Sequence, residues 1–441
     1  VLGRGQPQSL FARMFDVTVI NYLTLCMNLA TGILTARVLG PSQKGIYYAV
    51  NSWVGMIGYV AGLGIAQAFV WYYNGHVDKR KIFKRTLLLG MSIITVSSGI
   101  GGVLVWFPLH RLGHVAVVWA AIGVAMLPVG TLFGLCTSYL MVRGRVRAYN
   151  QIRLLQGISV TFGIVTLACT NHLSLTSYFM CLYITSLSAI VVCAVVTFRE
   201  FHRESPPTSS YIPSTRQFMK KSFAYFVPSL SSLFNARLDQ MICTLWLTQR
   251  DIGLYGVSTA SLDILGSVIG AFSIVFYPAM AQSDKDTITT KGNKAFRLYV
   301  MLSGVAVVCI ISLSHGVLAI LYGKQYVAAY PIVVGLAPTA VFSGLISILY
   351  QGFFSLGKPY YATITETVGA GSGAILIWIL APHFGAVGVS IANSLSYALD
   401  LGLCLYFWSK MGGKMGNLLP VWTDVKDIWI ASKGRMKALL A

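Results

Sequence analysis

Arg237 and Asp239 stand in the run Ser-Ser-Leu-Phe-Asn-Ala-Arg-Leu-Asp-Gln at residues 231–240, inside a segment, 223–248, apolar enough to cross a bilayer. An ionisable side chain at membrane depth costs about a few kcal/mol unless water or a partner receives it. Such a pair marks either a polar path for cargo or a structural ion pair between helices. Residues two apart point to nearly opposite sides of a helix, so Asp239 shares a face with Ser232 and Asn235, and Arg237 shares one with Leu233 and Met241. We therefore expect the long Arg237 side chain, rather than both charges, to reach a water-filled cleft.

Three more carboxylates fall inside apolar segments: Asp263, Glu366 and Asp400. At 1.5 Å per residue, Arg237 and Asp263 lie ~15 and ~16 Å from the outer ends of their helices, and Glu366 and Asp400 ~9 and ~12 Å from the inner ends. This sorts them into a midplane pair and a deeper acidic layer suited to ion coupling, because close carboxylates tend to share a proton. Near the start of the chain Asn21, Thr24, Asn28 and Thr31 recur at spacings of three and four, which stacks them on one helix face. That stripe reads equally as a cavity lining or as hydrogen-bonding glue between helices. Asn51 and Gln67 extend it, with Gly58 and Gly62 between them spaced for close helix packing.

The elements that must carry these residues are spanning helices. Of 441 residues, 56% are hydrophobic and only 10% charged, far from the balance of a soluble domain. About twelve windows of the length needed to cross hydrocarbon fit along the chain: 15–36, 46–72, 86–107, 115–140, 154–172, 176–198, 222–248, 252–280, 297–314, 330–355, 360–381 and 384–408. Most of the 33 Lys and Arg residues then fall on the side of the N-terminus, while the other side holds Arg37, Lys44, Arg111, Arg250 and Lys324. Basic residues accumulate in cytoplasmic loops, so both termini are expected in the cytoplasm. The net charge of +20 is spread over many loops rather than gathered with aromatics on one face, which argues against nucleic acid as a partner. The eight cysteines stand singly, without metal-ligand or disulfide spacing, and no cofactor is expected. Val1 in place of Met leaves an alternative start or a few missing residues open.

The Pro- and Ser-rich stretch 201–217 divides the spans six and six, giving a lobe at 1–200, a second at 218–408 and a basic tail at 409–441 that reads either as an amphipathic surface helix or as a frayed end. Gly45-Ile46-Tyr47 matches Gly253-Leu254-Tyr255 at an offset of 208 (253 minus 45), and Gly144-Arg145 matches Gly357-Lys358 at 213 (357 minus 144). Two matches at nearly one offset argue for duplication. The expected fold is an all-α polytopic membrane protein of two six-helix lobes, related by a pseudo-twofold axis along the membrane normal and enclosing a cleft.

Ala30-Thr31-Gly32-Ile33-Leu34-Thr35-Ala36-Arg37-Val38-Leu39-Gly40-Pro41, followed by Gly45-Ile46-Tyr47, resembles the opening signature of the polysaccharide biosynthesis oligosaccharide flippases of the multidrug/oligosaccharidyl-lipid/polysaccharide exporter superfamily. The passages 251–255, 321–326 and 385–393 resemble the same family. The resemblance implies a flippase moving a polyprenyl-diphosphate-linked oligosaccharide from the cytoplasmic to the outer leaflet of the inner (plasma) membrane, for surface polysaccharide assembly, with a polysaccharide polymerase as a partner and proton or sodium coupling. In that setting Arg237, Asp239, Asp263, Asn21, Asn28, Asn51 and Asn235 are candidate cargo contacts, and Glu366 and Asp400 candidate ion-coupling groups. Tyr47, Tyr48, Tyr59, Trp71, Tyr225 and Tyr255 serve either as sugar-stacking platforms or as interfacial anchors.

Two rivals follow. A multidrug exporter of the same superfamily also suits acidic residues in a cleft, and a membrane polymerase or glycosyltransferase would use the same lipid donor. The sequence carries no Ser/His/Asp grouping, phosphate loop or metal spacing, and its longest outer connection, 314–329, has one His and one Lys, so an enzyme is not expected.

Overall fold

The computed structural model describes residues 10–75, 77–203, 211–262 and 285–413, and every regular element in them is helical. Asp263, the side chain of Asn235, linker residues 204–210 and the tail from 414 onward lie outside the described residues.

The first helix, α1 (Leu10–Gly62), runs for 53 residues and contains the first span and most of the second. It is broken at Gly40, whose φ of 72° and ψ of 171° suit a residue without a Cβ, and Pro41 follows with no N–H to extend the ladder. The connection expected at 37–45 is thus helical on both sides of a single glycine. A second break at Leu63 and Gly64, both at positive φ, leads into α2 (Ile65–Tyr73). α3 (Lys79–Leu109) starts where Asp78 accepts the amide hydrogens of Arg80 and Lys81 at 3.1 Å each, satisfying two otherwise orphan donors. The fourth span is a pair, α4 (His114–Ala125) and α5 (Leu127–Val142), bent by 42° with Pro128 in the first turn of α5. α6 (Val146–Cys169) and α7 (Leu175–His202) complete the series, the latter opened by a reciprocal Ser174–Ser177 capping box.

α8 (Thr215–Trp246) is followed by α9, described over residues 249–262, then α10 (Lys285–Val317), α11 (Tyr330–Ser355) and α12 (Tyr360–Lys410). α12 carries the last two spans and bends at Gly385, φ 58° and ψ −140°, again a conformation only glycine adopts easily. Among the described residues seven helical stretches are long and apolar enough to cross a membrane, eight with the bent pair. α8 is not one of them, because the polar run at 231–240 dilutes its apolar character.

The chain forms two compact units: one of Val1–Leu230 with Thr248–Gly253, the other of Ser231–Leu247 with Leu254–Ala441. Aromatic residues knit the first, where Phe69, Phe83, Tyr139, Phe201 and Phe218 form one buried cluster. The second centres on Phe353, Leu349 and Trp408, whose indole N–H donates to Asn293 Oδ1 at 2.8 Å. Helices in hydrocarbon associate by packing and hydrogen bonds rather than by expelling water, so such close fits hold each unit together.

Candidate transport site

In the first unit the polar stripe of α1 divides by residue type. Thr24 and Thr31 donate to the carbonyls of Ile20 and Met27 at 2.8 and 2.9 Å, so their hydroxyls are turned onto their own helix. Asn21, Asn28 and Asn51 are exposed, with amides that keep donors and acceptors for a ligand. Gly58 packs against the Leu127 side chain, as its spacing suggested, whereas Gly62 borders a cavity of about 300 Å³ shared with Tyr59, Gln67, Thr131, Phe226 and Ser229.

Arg153 joins this face from α6. Its Nη1 donates to Asn21 Oδ1 at 3.0 Å, and its guanidinium lies over the Tyr149 ring at 5.4 Å. It forms no ion pair among the described residues. The span expected at 154–172 leaves Arg153 just outside it. α6 begins at Val146, and the arginine therefore sits two turns inside a helix.

Lys44, assigned above to an outer connection, is instead 2% exposed. Its amine donates to Thr35 Oγ1 at 2.7 Å and faces the rings of Tyr47, Tyr178 and Tyr48 at 4.6, 5.1 and 5.5 Å. Thr35 can accept because its own hydrogen goes to the Thr31 carbonyl at 2.7 Å. A desolvated ammonium over aromatic faces gains about 2 kcal/mol from a good contact, which partly offsets its lost hydration. The signal was present in the sequence: Lys44, Tyr47 and Tyr48 are spaced by three and four, a helical rather than a loop pattern.

In the second unit the two charges of α8 part company. Arg237 is exposed and donates to Gln240 Oε1 at 3.3 Å, not to a carboxylate. Asp239 is 8% exposed. Its Oδ2 accepts from the Tyr255 hydroxyl at 2.5 Å and from Asn393 Nδ2 at 3.2 Å, and its Oδ1 accepts the Gln240 amide at 2.7 Å. Three helices, α8, α9 and α12, thereby converge on one buried carboxylate. Arg237 and Asp239 are not paired with each other, and Tyr255, 1% exposed, is no sugar platform. Asn393 was passed over as a site residue although it closes the passage 385–393.

The deeper acidic layer is divided within α12. Asp400, 1% exposed, packs against Gly369 and receives the Cys404 thiol at 3.6 Å. Glu366 lies one turn before Gly369 and is half-buried. Tyr350 of α11 bridges the neighbourhood through a 2.9 Å hydrogen bond with Thr365. Among the described residues no group of three His, Cys, Asp or Glu side chains is arranged to hold a metal.

Comparison with known proteins places this geometry. Residues 12–284 match the family described as "Polysaccharide biosynthesis protein". The chain is 21% identical over 390 residues to "Probable low-salt glycan biosynthesis flippase Agl15" of Haloferax volcanii, covering 85% of this chain and 78% of that protein. Among solved structures it resembles the inward closed conformation of the lipid II flippase MurJ, with a TM-score of 0.68, 16% identity and coverage of 88% and 86% of the two chains. It also resembles an inward-facing multidrug resistance MATE family transporter of the MOP superfamily, with a TM-score of 0.64, 12% identity and coverage of 89% and 96%. At these identities the two structural likenesses establish the fold.

Proposed function

This chain belongs to the polysaccharide biosynthesis protein family, and on that premise we propose that it is a flippase carrying a polyprenyl-diphosphate-linked oligosaccharide from the cytoplasmic to the outer leaflet by alternating access. It does so without covalent chemistry on the cargo. The observation that carries the reading is Arg153 on Asn21: a guanidinium without a carboxylate partner, on the amide-bearing face of α1, inside a multi-pass membrane protein. A diphosphate is costly to bring through hydrocarbon, and arginine's planar fork matches its oxygens in a way a lysine does not. Asn21, Asn28 and Asn51 offer hydrogen bonds to sugar hydroxyls on the same face, and Arg237, also without a carboxylate partner, is a cation of the second unit open to an anionic group.

Asp239 takes a restraining role, its charge held among Tyr255 and Asn393 rather than presented to cargo. Glu366 and Asp400 couple a proton or sodium gradient to the change of state. We place the protein in the inner membrane with both termini cytoplasmic, on the distribution of Lys and Arg, and supplying a polysaccharide polymerase. The exporter alternative needs an acidic group open to a cationic drug, and the buried Asp239 does not favour it.

Reconstituted vesicles carrying a fluorescent polyprenyl-diphosphate disaccharide test the reading. We expect Arg153→Gln and Arg237→Gln each to slow flipping by tenfold or more, about 1.4 kcal/mol of lost stabilisation, with the protein still folded by gel filtration. Unimpaired flipping in both variants would falsify the assignment, and drug efflux in place of flipping would favour the exporter.

A further inference from the structure

One surface feature is unused by the transport reading. Along α7 a shallow cavity of about 810 Å³ is lined by Val191, Val195 and Phe198 and ends at Arg199, His202 and Arg203. The three apolar residues are 61%, 45% and 40% exposed and recur at spacings of four and three, so they form one stripe. From Val191 to Arg199 the helix rises ~12 Å, close to the hydrocarbon depth of one leaflet.

Among the described residues the basic end carries more guanidinium groups than carboxylates. Glu200 alone receives three guanidinium groups, Arg145 at 3.0 Å, Arg203 at 3.8 Å and Arg143 at 3.9 Å. Neighbouring arginines are spent on the chain itself: Arg80 donates to the His202 carbonyl and Arg143 to that of Arg203. Arg199 is exposed and has no hydrogen-bond or ion-pair partner among the described residues. A site with an apolar trough at one end and an exposed guanidinium, that of Arg199, at the other matches a two-part amphiphile with an anionic head.

We propose that this groove binds an anionic phospholipid of the leaflet that meets the basic loops, its phosphate on Arg199 with Arg203 and His202 at the rim, and an acyl chain along Val191, Val195 and Phe198. The lipid would serve as a fixed partner of the first unit, whatever cargo is carried.

The test is lipid retention by the full-length protein, delipidated in detergent, incubated with equal phosphatidylglycerol and phosphatidylcholine and read by native mass spectrometry. The wild type should retain phosphatidylglycerol in clear preference. Arg199→Gln should reduce that preference about fivefold, the change equivalent to ~1 kcal/mol, and Arg199→Lys should keep part of it. Equal retention of the two lipids by the wild type overturns the proposal, as does an undiminished preference in the Arg199→Gln, Arg203→Gln double variant. Light scattering that finds a dimer dispersed by Arg199→Gln also overturns it, assigning the groove to a second copy of the chain.

Discussion

The Tyr255 hydroxyl donates to Asp239 Oδ2 at 2.5 Å, tying α9 to a carboxylate on α8. Removing that hydroxyl takes away the shortest of the hydrogen bonds described for the buried carboxylate. We expect Tyr255→Phe to cost about 1–3 kcal/mol, seen as a lowered melting temperature of the purified protein. Asp239→Asn keeps the shape and can still accept from Tyr255, so it should melt closer to wild type. The opposite ranking would mean that the charge itself stabilises the unit and the hydroxyl contributes little.

Gly45 and Gly253, the glycines of the first sequence match, belong to one close backbone contact within the first unit. A methyl group on Gly45 would stand 1.7 Å from the Gln249 carbonyl oxygen, and one on Gly253 would stand 1.9 Å from that of Pro41. Backbone cannot step aside as a side chain can. Gly45→Ala and Gly253→Ala should therefore sharply reduce the yield of folded protein, whereas Gly55→Ala, with nothing within 4 Å, should leave it intact. Equal yields of all three would contradict the contact.

At Lys44 a buried cation rests on one hydroxyl and three ring faces. Replacing a buried charge by an apolar side chain of similar volume is often neutral or stabilising, so Lys44→Met should melt at or above the wild-type temperature. Thr35→Val instead strands the ammonium and should cost about 1–3 kcal/mol. If Lys44→Met melts well below wild type, the amine is a structural anchor rather than a tolerated burden.

These residues also mark where the sequence was legible. Composition and span length disclosed a helical membrane protein, because a bilayer admits few other solutions. The spacing of two between Arg237 and Asp239 anticipated that they would face different surroundings, one exposed and the other buried. Hydropathy left the helical setting of Lys44 and Arg153 unread for one reason: it assigns a charge to the nearest loop. α1 stays helical through residues 41–62 and α6 starts at Val146, and both charges are thereby carried into helices. Tyr255 and Asn393, which donate to Asp239, lie 16 and 154 residues away in the chain, a separation that no local pattern encodes.

Glu366 and Asp400 give the fourth prediction. If they couple ion movement to transport, Glu366→Gln with Asp400→Asn should yield a protein whose flipping no longer responds to an imposed proton or sodium gradient. Flipping would be measured in vesicles with and without that gradient. A double variant that responds as the wild type does removes both residues from the coupling step.

Six residues, Thr248–Gly253, belong to the first unit although those on both sides belong to the second. The early part of α8 is needed there too: Phe218 is in the first unit's aromatic cluster, and Ser222 donates to the Leu63 carbonyl. Domains usually settle N-terminal first as the ribosome delivers them. Here the nascent N-terminal bundle has to wait, open at one seam, until residue 253 has been synthesised. A ribosome stalled at residue 203 would hold a protease-sensitive intermediate rather than a finished half.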